Sequence, residues 1–184
     1  SAVLYLKQVE AKVRGETISA ASVTCDVGNV AACLKPEERA YIKANPLDVE
    51  DWGTLTVTFS DGTKATVFSG DMIMGGVRNL IETHTSGGAL FANITPNTHM
   101  MSYQTSEEKL AGVYITEKVD RKTGWQYICI EEEWTRGYLQ EIQDFMECVA
   151  SGRQPLADLA LAFETIKVNY AGYWAAEEGR RIML

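Results

Sequence analysis

Basic charge is scarce in this chain. Its 184 residues carry 17 Lys and Arg against 25 Asp and Glu, a net charge of −8. A surface of that sign repels phosphate backbones, which removes nucleic acid from the expected partners. Histidine is nearly missing: His84 and His99 are the only two. The four cysteines, Cys25, Cys33, Cys129 and Cys148, form no C-x-x-C pair, so no convincing zinc set can be assembled and no metal is expected. Most of these cysteines lie among apolar residues and read as small core residues, in keeping with a reducing cytoplasm. Spacing alone gives no support to a Cys25–Cys33 disulfide. No apolar run approaches the roughly 20 residues needed to cross a bilayer, and the opening Ser-Ala is not followed by a signal peptide. A cytoplasmic protein without a membrane partner is expected. No G-x-S-x-G or other nucleophile setting is visible.

What is present is ordinary for a globular protein: 46% hydrophobic and 23% charged residues. A chain of this length fits one domain, residues 1–184, and a domain of that size buries roughly 70% of its unfolded surface. Val3–Val13 reads as a short helix stopped by Gly15. Thr17–Val30 is rich in β-branched residues and reads as a strand. Lys35–Asn45 reads as a connecting helix or turn, with Pro36 at an early helical position.

The clearest strand signal is WGTLTVTFSDGTKATVFSG, where Leu55, Val57 and Phe59 alternate with Thr54, Thr56 and Thr58. A two-residue turn at Asp61-Gly62 predicts that Phe59 faces Lys64, Val57 faces Thr66 and Leu55 faces Phe68. One face is then bulky and apolar and covers helices. The other carries Thr54, Thr56, Thr58, Ala65 and Val67 and suits contact with another domain or subunit. A second hairpin, LIETHTSGGALFANIT, has Gly87-Gly88 at its tip, with Ile81, Thr83, Thr85, Leu90, Ala92 and Ile94 on one side and Glu82, His84, Ser86, Phe91 and Asn93 on the other. Two further strands are expected over Val113–Val119 and Trp125–Ile130. The chain closes with two helices. Leu139, Ile142, Met146 and Val149 form the stripe of the first, which Gly152 ends. Asp158 caps the second, with Leu159, Phe163, Ile166, Tyr170 and Trp174 as its expected buried stripe and Gly179 as its end. The order predicts an α+β fold: a large, mostly antiparallel β-sheet with helices packed on one face.

The hairpin WGTLTVTFSDGTKATV, the strand pair IETHTSGGALFANITPN and the closing pieces QDF, GRQPLAD and YWAAEEGRRI, taken in this order and spacing, resemble the C-terminal domain of the Gfo/Idh/MocA oxidoreductases. That family contains NAD(P)-dependent dehydrogenases acting mostly on sugars, polyols and their derivatives. The resemblance runs from Val3 to Leu184. It implies a C-terminal domain that follows a Rossmann domain in the same polypeptide, shapes the pocket of a small-molecule substrate and forms homo-oligomers through an open sheet face. The fingerprint G-x-G-x-x-G is absent, since Gly75-Gly76 stands in the wrong context. The family's Glu-Lys-Pro and Asp-x-x-x-His motifs are absent too. No cofactor is therefore expected on this chain, NAD or NADP being expected for the full-length parent, and no catalytic residue is assigned. Alone, the chain is expected to be inert.

The substrate-facing candidates are Met74 and Arg78, in the glycine-bearing connection GDMIMGGVRN, and His84. An Arg can hold a hydroxyl or anionic group, and His is the natural acid/base side chain. Each has a plainer reading beside it: a gap-filling methionine, a solvated arginine and a sheet-face histidine. A non-enzymatic sheet module, for dimerisation or small-ligand binding, is the alternative to the oxidoreductase reading, and a pseudo-enzyme a third.

Overall fold

The computed structural model describes residues 1–39, 49–72, 78–95, 101–108, 111–112, 123–127 and 132–184. In chain order the elements are α1 (Ala2–Arg14), β1 (Ala20–Gly28), a 3-10 turn (Ala31–Cys33), β2 (Trp52–Phe59), β3 (Lys64–Gly70), β4 (Leu80–Thr85), β5 (Gly88–Asn93), β6 (Met101–Gln104), β7 (Gly124–Tyr127), α2 (Glu132–Thr135), α3 (Tyr138–Ser151), α4 (Leu159–Glu178) and β8 (Ile182–Met183). The α+β class is as expected, and every described strand pairing is antiparallel. The described residues form two compact units, Ser1–Met72 with Gln154–Leu184, and Ile73–Arg153.

The first unit is built on a four-stranded sheet in the order β3-β2-β1-β8. Its register departs from the sequence expectation by one residue: Thr58 pairs with Lys64, Val57 with Ala65, Thr56 with Thr66 and Leu55 with Val67. The cause is the turn. The Phe59 amide donates to the Thr63 carbonyl at 2.9 Å, which leaves Ser60, Asp61 and Gly62 as a three-residue loop. Only Gly62 is left-handed, with φ 83°. Asp61 stays in an ordinary conformation while its Oδ1 accepts from the Thr63 amide at 3.0 Å and the Thr63 hydroxyl at 2.6 Å. A three-residue loop ending in a left-handed glycine is the next commonest hairpin after the two-residue kind. Because a slip of one residue exchanges faces, Leu55, Val57 and Phe59 share their side with Ala65 and Val67, and the threonines share theirs with Lys64, Thr66 and Phe68.

The apolar side carries the core. Val23 and Val57 are cross-strand partners and the largest fully buried side chains, each contributing about 1.5–3 kcal/mol by burial. Phe59, Leu4 of α1, Ile182 of β8, and Leu161 and Val168 of α4 complete it. The tail read as merely apolar is a strand: Ile182 pairs with Val23, and the Leu184 amide donates to Ala21 at 2.9 Å.

α4 begins where Asp158 caps it, its carboxylate accepting from the Leu161 amide at 2.8 Å, and ends at Gly179 with φ 63°. Both ends are as expected, but the buried face is not. Leu161, Val168, Ala171, Gly172 and Ala175 are buried, whereas Leu159 is 88% and Tyr170 74% exposed, and Phe163, Ile166 and Trp174 are exposed as well. The helix is apolar nearly all round, so periodicity cannot choose its inner side. Backbone proximity chooses it instead. A Cβ built on Gly172 would stand 2.9 Å from Leu55 Cδ1 and 3.7 Å from Cys25 Sγ, so the helix lies nearly on the strands.

α1 ends at Gly15, as read, with φ 66°. It is tied to the β2–β3 loop by charge. Lys7 Nζ lies 2.6 Å from Glu10 and 2.9 Å from Asp61, and Arg14 lies 2.9 Å from Glu10 and 2.8 Å from Glu16. Lys7 also sits over the Phe59 ring at 5.2 Å. The Thr63 hydroxyl and Lys7 together hold the Asp61 carboxyl well below the usual carboxylate range.

The second unit contains two ribbons. In β4–β5, Ile81 pairs with Ala92 and Thr83 with Leu90, so both faces are composed as expected, but Thr85 pairs with Gly88 and the tip is Ser86-Gly87. Its base is closed by Asn79 and Thr95: the Asn79 amide donates to Thr95 Oγ1 at 2.8 Å and the Ile94 amide to the Asn79 carbonyl at 3.0 Å. β7 covers part of the expected Trp125–Ile130 strand. Its partner is β6, which no alternation in the sequence announced, with Tyr103 opposite Trp125 and their rings edge-to-face at 5.3 Å. The expected strand Val113–Val119 lies outside the described residues, as does most of the Lys35–Asn45 element. In α3 the stripe Leu139, Ile142, Met146 and Val149 is exposed and Cys148 is the buried residue.

Two stability outcomes follow from these contacts. Gly172→Val forces a branched side chain against Leu55 and should destabilise by about 2–3 kcal/mol in urea melts, whereas Leu159→Ser should change stability by under about 0.5 kcal/mol. The Asp61 carboxyl has a folded pKa below its unfolded value near 3.9, so its contribution is complete above that value and lost as pH falls through the interval beneath it. Below about pH 4 the thermal midpoint of wild type should therefore fall more steeply than that of Asp61→Asn.

Candidate functional site

The strongest concave site in the first unit lies where the strands run out past α4 toward Gly53. Gly53 has no side chain to fill the floor, and β1, β2 and β3 contribute Cys25, Leu55 and Val67 around it, while Asn169, Gly172 and Tyr173 of α4 form the roof. The cavity measures about 330 Å³. The helix has small residues where it meets the sheet and places Asn169 and Tyr173 at this margin.

Glu50 and Tyr173 make the rim. The Tyr173 hydroxyl donates to Glu50 Oε1 in a short hydrogen bond. That bond holds the Glu50 carboxyl below its ordinary value, and the carboxylate in turn pushes the Tyr173 phenol up. Asp51, next in sequence, is buried, 3% exposed, and does a different task. Its two carboxylate oxygens accept from the Val30 amide at 2.7 Å and the Ala31 amide at 2.8 Å. The Asp51 amide itself donates to the Gly28 carbonyl at 3.1 Å, and Asn29 Nδ2 to the Val49 carbonyl at 3.2 Å. A buried carboxylate with charge-assisted amide partners is a fixed strut. Cys25 is a free thiol, as is Cys33. Burial pushes the Cys25 thiol up, away from the thiolate a nucleophile needs.

The residues chosen from the sequence lie elsewhere. Arg78 is exposed just ahead of β4, and His84 is exposed on β4 with its ring edge-to-face on Phe91 at 5.5 Å, opposite Ala89 across the ribbon. Met74 is outside the described residues. Glu50, Asn169 and Tyr173 carried no motif. The one signal the sequence held is the acidic pair Glu50-Asp51 immediately before the strongest strand.

The described residues offer no cradle for a dinucleotide. A pyrophosphate needs a strand, a glycine turn and a free helix N-terminus in a parallel βαβ unit. Among the described residues every strand pairing is antiparallel, so they contain no parallel βαβ unit, and the Asp158 carboxylate occupies the N-terminus of α4. Among the described residues no group of His, Cys, Asp and Glu could hold a metal ion.

No protein-family model and no curated protein matches the sequence. Solved structures do match. GenD2 from gentamicin A biosynthesis, solved in complex with NAD, superposes with a TM-score of 0.69 at 21% identity, over 90% of this chain and 42% of its own. The myo-inositol 2-dehydrogenase of Lactobacillus plantarum gives 0.63 at 17% identity, over 92% and 43%. A probable dehydrogenase from Thermotoga maritima gives 0.58 at 23%, over 90% and 43%. The fold is that of the C-terminal domain of Gfo/Idh/MocA dehydrogenases. The chain spans less than half the length of these dehydrogenases. Among its described residues no helix is long and apolar enough to cross a membrane.

The Glu50–Tyr173 bond can be read directly. Tyr173→Phe should return the Glu50 carboxyl to the ordinary glutamate range, seen as an upward shift of its NMR titration midpoint. An unchanged midpoint would mean the bond is not formed in solution.

Proposed function

We propose that the chain is the substrate-shaping and oligomerising C-terminal domain, residues 1–184, of a cytoplasmic NAD(P)-dependent oxidoreductase acting on a sugar, a polyol or a related alcohol or carbonyl compound. The observation that carries this reading is the match over 90% of the chain to an NAD-bound dehydrogenase of which it spans only 42%. The remaining length of such an enzyme is what a nucleotide-binding domain requires. NAD or NADP, held by that domain, supplies the hydride chemistry.

This chain's part is to bind and orient. In this reading Met74, Arg78 and His84 are the residues that would face the substrate. Arg78 would donate to a substrate hydroxyl or anionic group, and His84, six residues further along the chain, would offer an imidazole. The oligomer reading is supported by the sheet side away from α4. There Thr54, Thr56 and Thr58 are half-buried, Thr56 and Thr66 approach hydroxyl to hydroxyl at 3.3 Å, and Phe68 and Met183 are exposed. Small β-branched residues with a few large apolar ones make a flat surface fit for a second copy.

The test uses two polypeptides. Titrated with NADH in a calorimeter, this chain alone should give no heat of binding. A parent polypeptide extended upstream by roughly 120–150 residues and carrying G-x-G-x-x-G should bind NADH and, given NAD+ or NADP+ as hydride acceptor, oxidise a polyol. In that parent, Arg78→Ala should raise KM for the polyol about tenfold while NADH affinity stays unchanged. Micromolar NADH binding by the chain alone, or a natural gene product without a nucleotide-binding domain, overturns the proposal.

A further inference from the structure

We propose that the cavity between the Gly53 end of the first sheet and α4 is a binding site for a small organic cation, an ammonium group on a skeleton of about monosaccharide size. The volume comes first. At about 330 Å³ the cavity falls within the range of small-molecule pockets. Its walls differ in character. Cys25, Leu55 and Val67 give an apolar floor, whereas the rim carries Glu50, Asn169 and Tyr173.

Hydrogen bonding decides what the rim can accept. Tyr173 donates its hydroxyl to Glu50 Oε1 and the Glu50 backbone amide also hydrogen-bonds the carboxylate, so the group is held in place and kept ionised at the cavity margin. A fixed acceptor oxygen at the mouth of a cavity calls for a donor. An ammonium has three donors and no acceptor, which matches the remaining lone pairs of the Glu50 carboxylate together with the Asn169 side-chain carbonyl. Asp71 adds a second negative charge to the lining, and no Lys, Arg or His lines the cavity to neutralise either. Asp51 adds no acceptor, because its oxygens are engaged by the Val30 and Ala31 amides. A neutral sugar fits the volume without using this field, and an anionic one is repelled by it. The site needs neither nucleotide nor upstream domain, so it stands or falls apart from the oxidoreductase reading.

Three monosaccharides of nearly equal size and different charge make the probes: glucosamine, glucose and glucuronate. Each is titrated into the chain and followed through backbone amide shifts. Glucosamine should give saturable shifts at Gly53, Asn169 and Gly172 and bind at least about tenfold more tightly than glucose, and glucuronate should give none. Glu50→Gln, at a half-exposed position, should weaken glucosamine about tenfold and leave glucose unchanged. Wild type supplies a second readout independent of any variant's folding: raising salt from about 0.05 to 0.5 M should weaken glucosamine and spare glucose. Equal affinities for the three sugars, shifts away from these amides, no shifts at all, or salt-insensitive glucosamine binding would each overturn the proposal.

Discussion

The close seating of α4 on β1 and β2 is the constraint from which the first unit follows. Gly172, with Ala171 and Ala175 beside it, brings the helix backbone onto Leu55 and Cys25, and no larger residue could stand at that point without displacing them. This approach places Val168 and Leu161 over Val23, Val57 and Phe59. It also fixes where the helix rises clear of the strands, and therefore where the cavity opens. The rim residue Tyr173 follows Gly172 directly, so the geometry of the site is inherited from the geometry of packing.

Local signals in the sequence translated well into local structure. Gly15, Gly152, Asp158 and Gly179 set helix ends because capping depends on a few adjacent atoms. The alternation of Leu55, Val57 and Phe59 gave a strand because side-chain direction has a period of two. Signals that depend on a partner translated less well. Asp61-Gly62 marked a turn correctly, yet the loop length was decided by the Asp61 carboxylate binding the Thr63 amide and hydroxyl, a competition that composition does not reveal. The inner face of α4 was misread because large apolar side chains were weighted above small ones, and close approach rewards the small. β6 has neither a long alternation nor β-branched residues and becomes a strand only by meeting β7.

The order of hairpins and closing helices pointed to a dehydrogenase half, and the superposition on GenD2 and on myo-inositol 2-dehydrogenase carries the same architecture. The cavity was not legible, since Glu50 precedes β2 while Asn169 and Tyr173 lie on α4, and the two sides meet only after the helix is seated.

The Asp51 strut has a consequence for variation in this architecture. By gripping the Val30 and Ala31 amides, with Gly28 and Val49 joined alongside, it closes the excursion between β1 and β2 at its base. A segment closed in this way adds little to the entropic cost of closure when it is lengthened, about 0.6 kcal/mol for each doubling. Insertions and deletions beyond the clamp are thus decoupled from the sheet beneath. That makes this excursion the place where descendants of one scaffold can diverge in length without renegotiating their core.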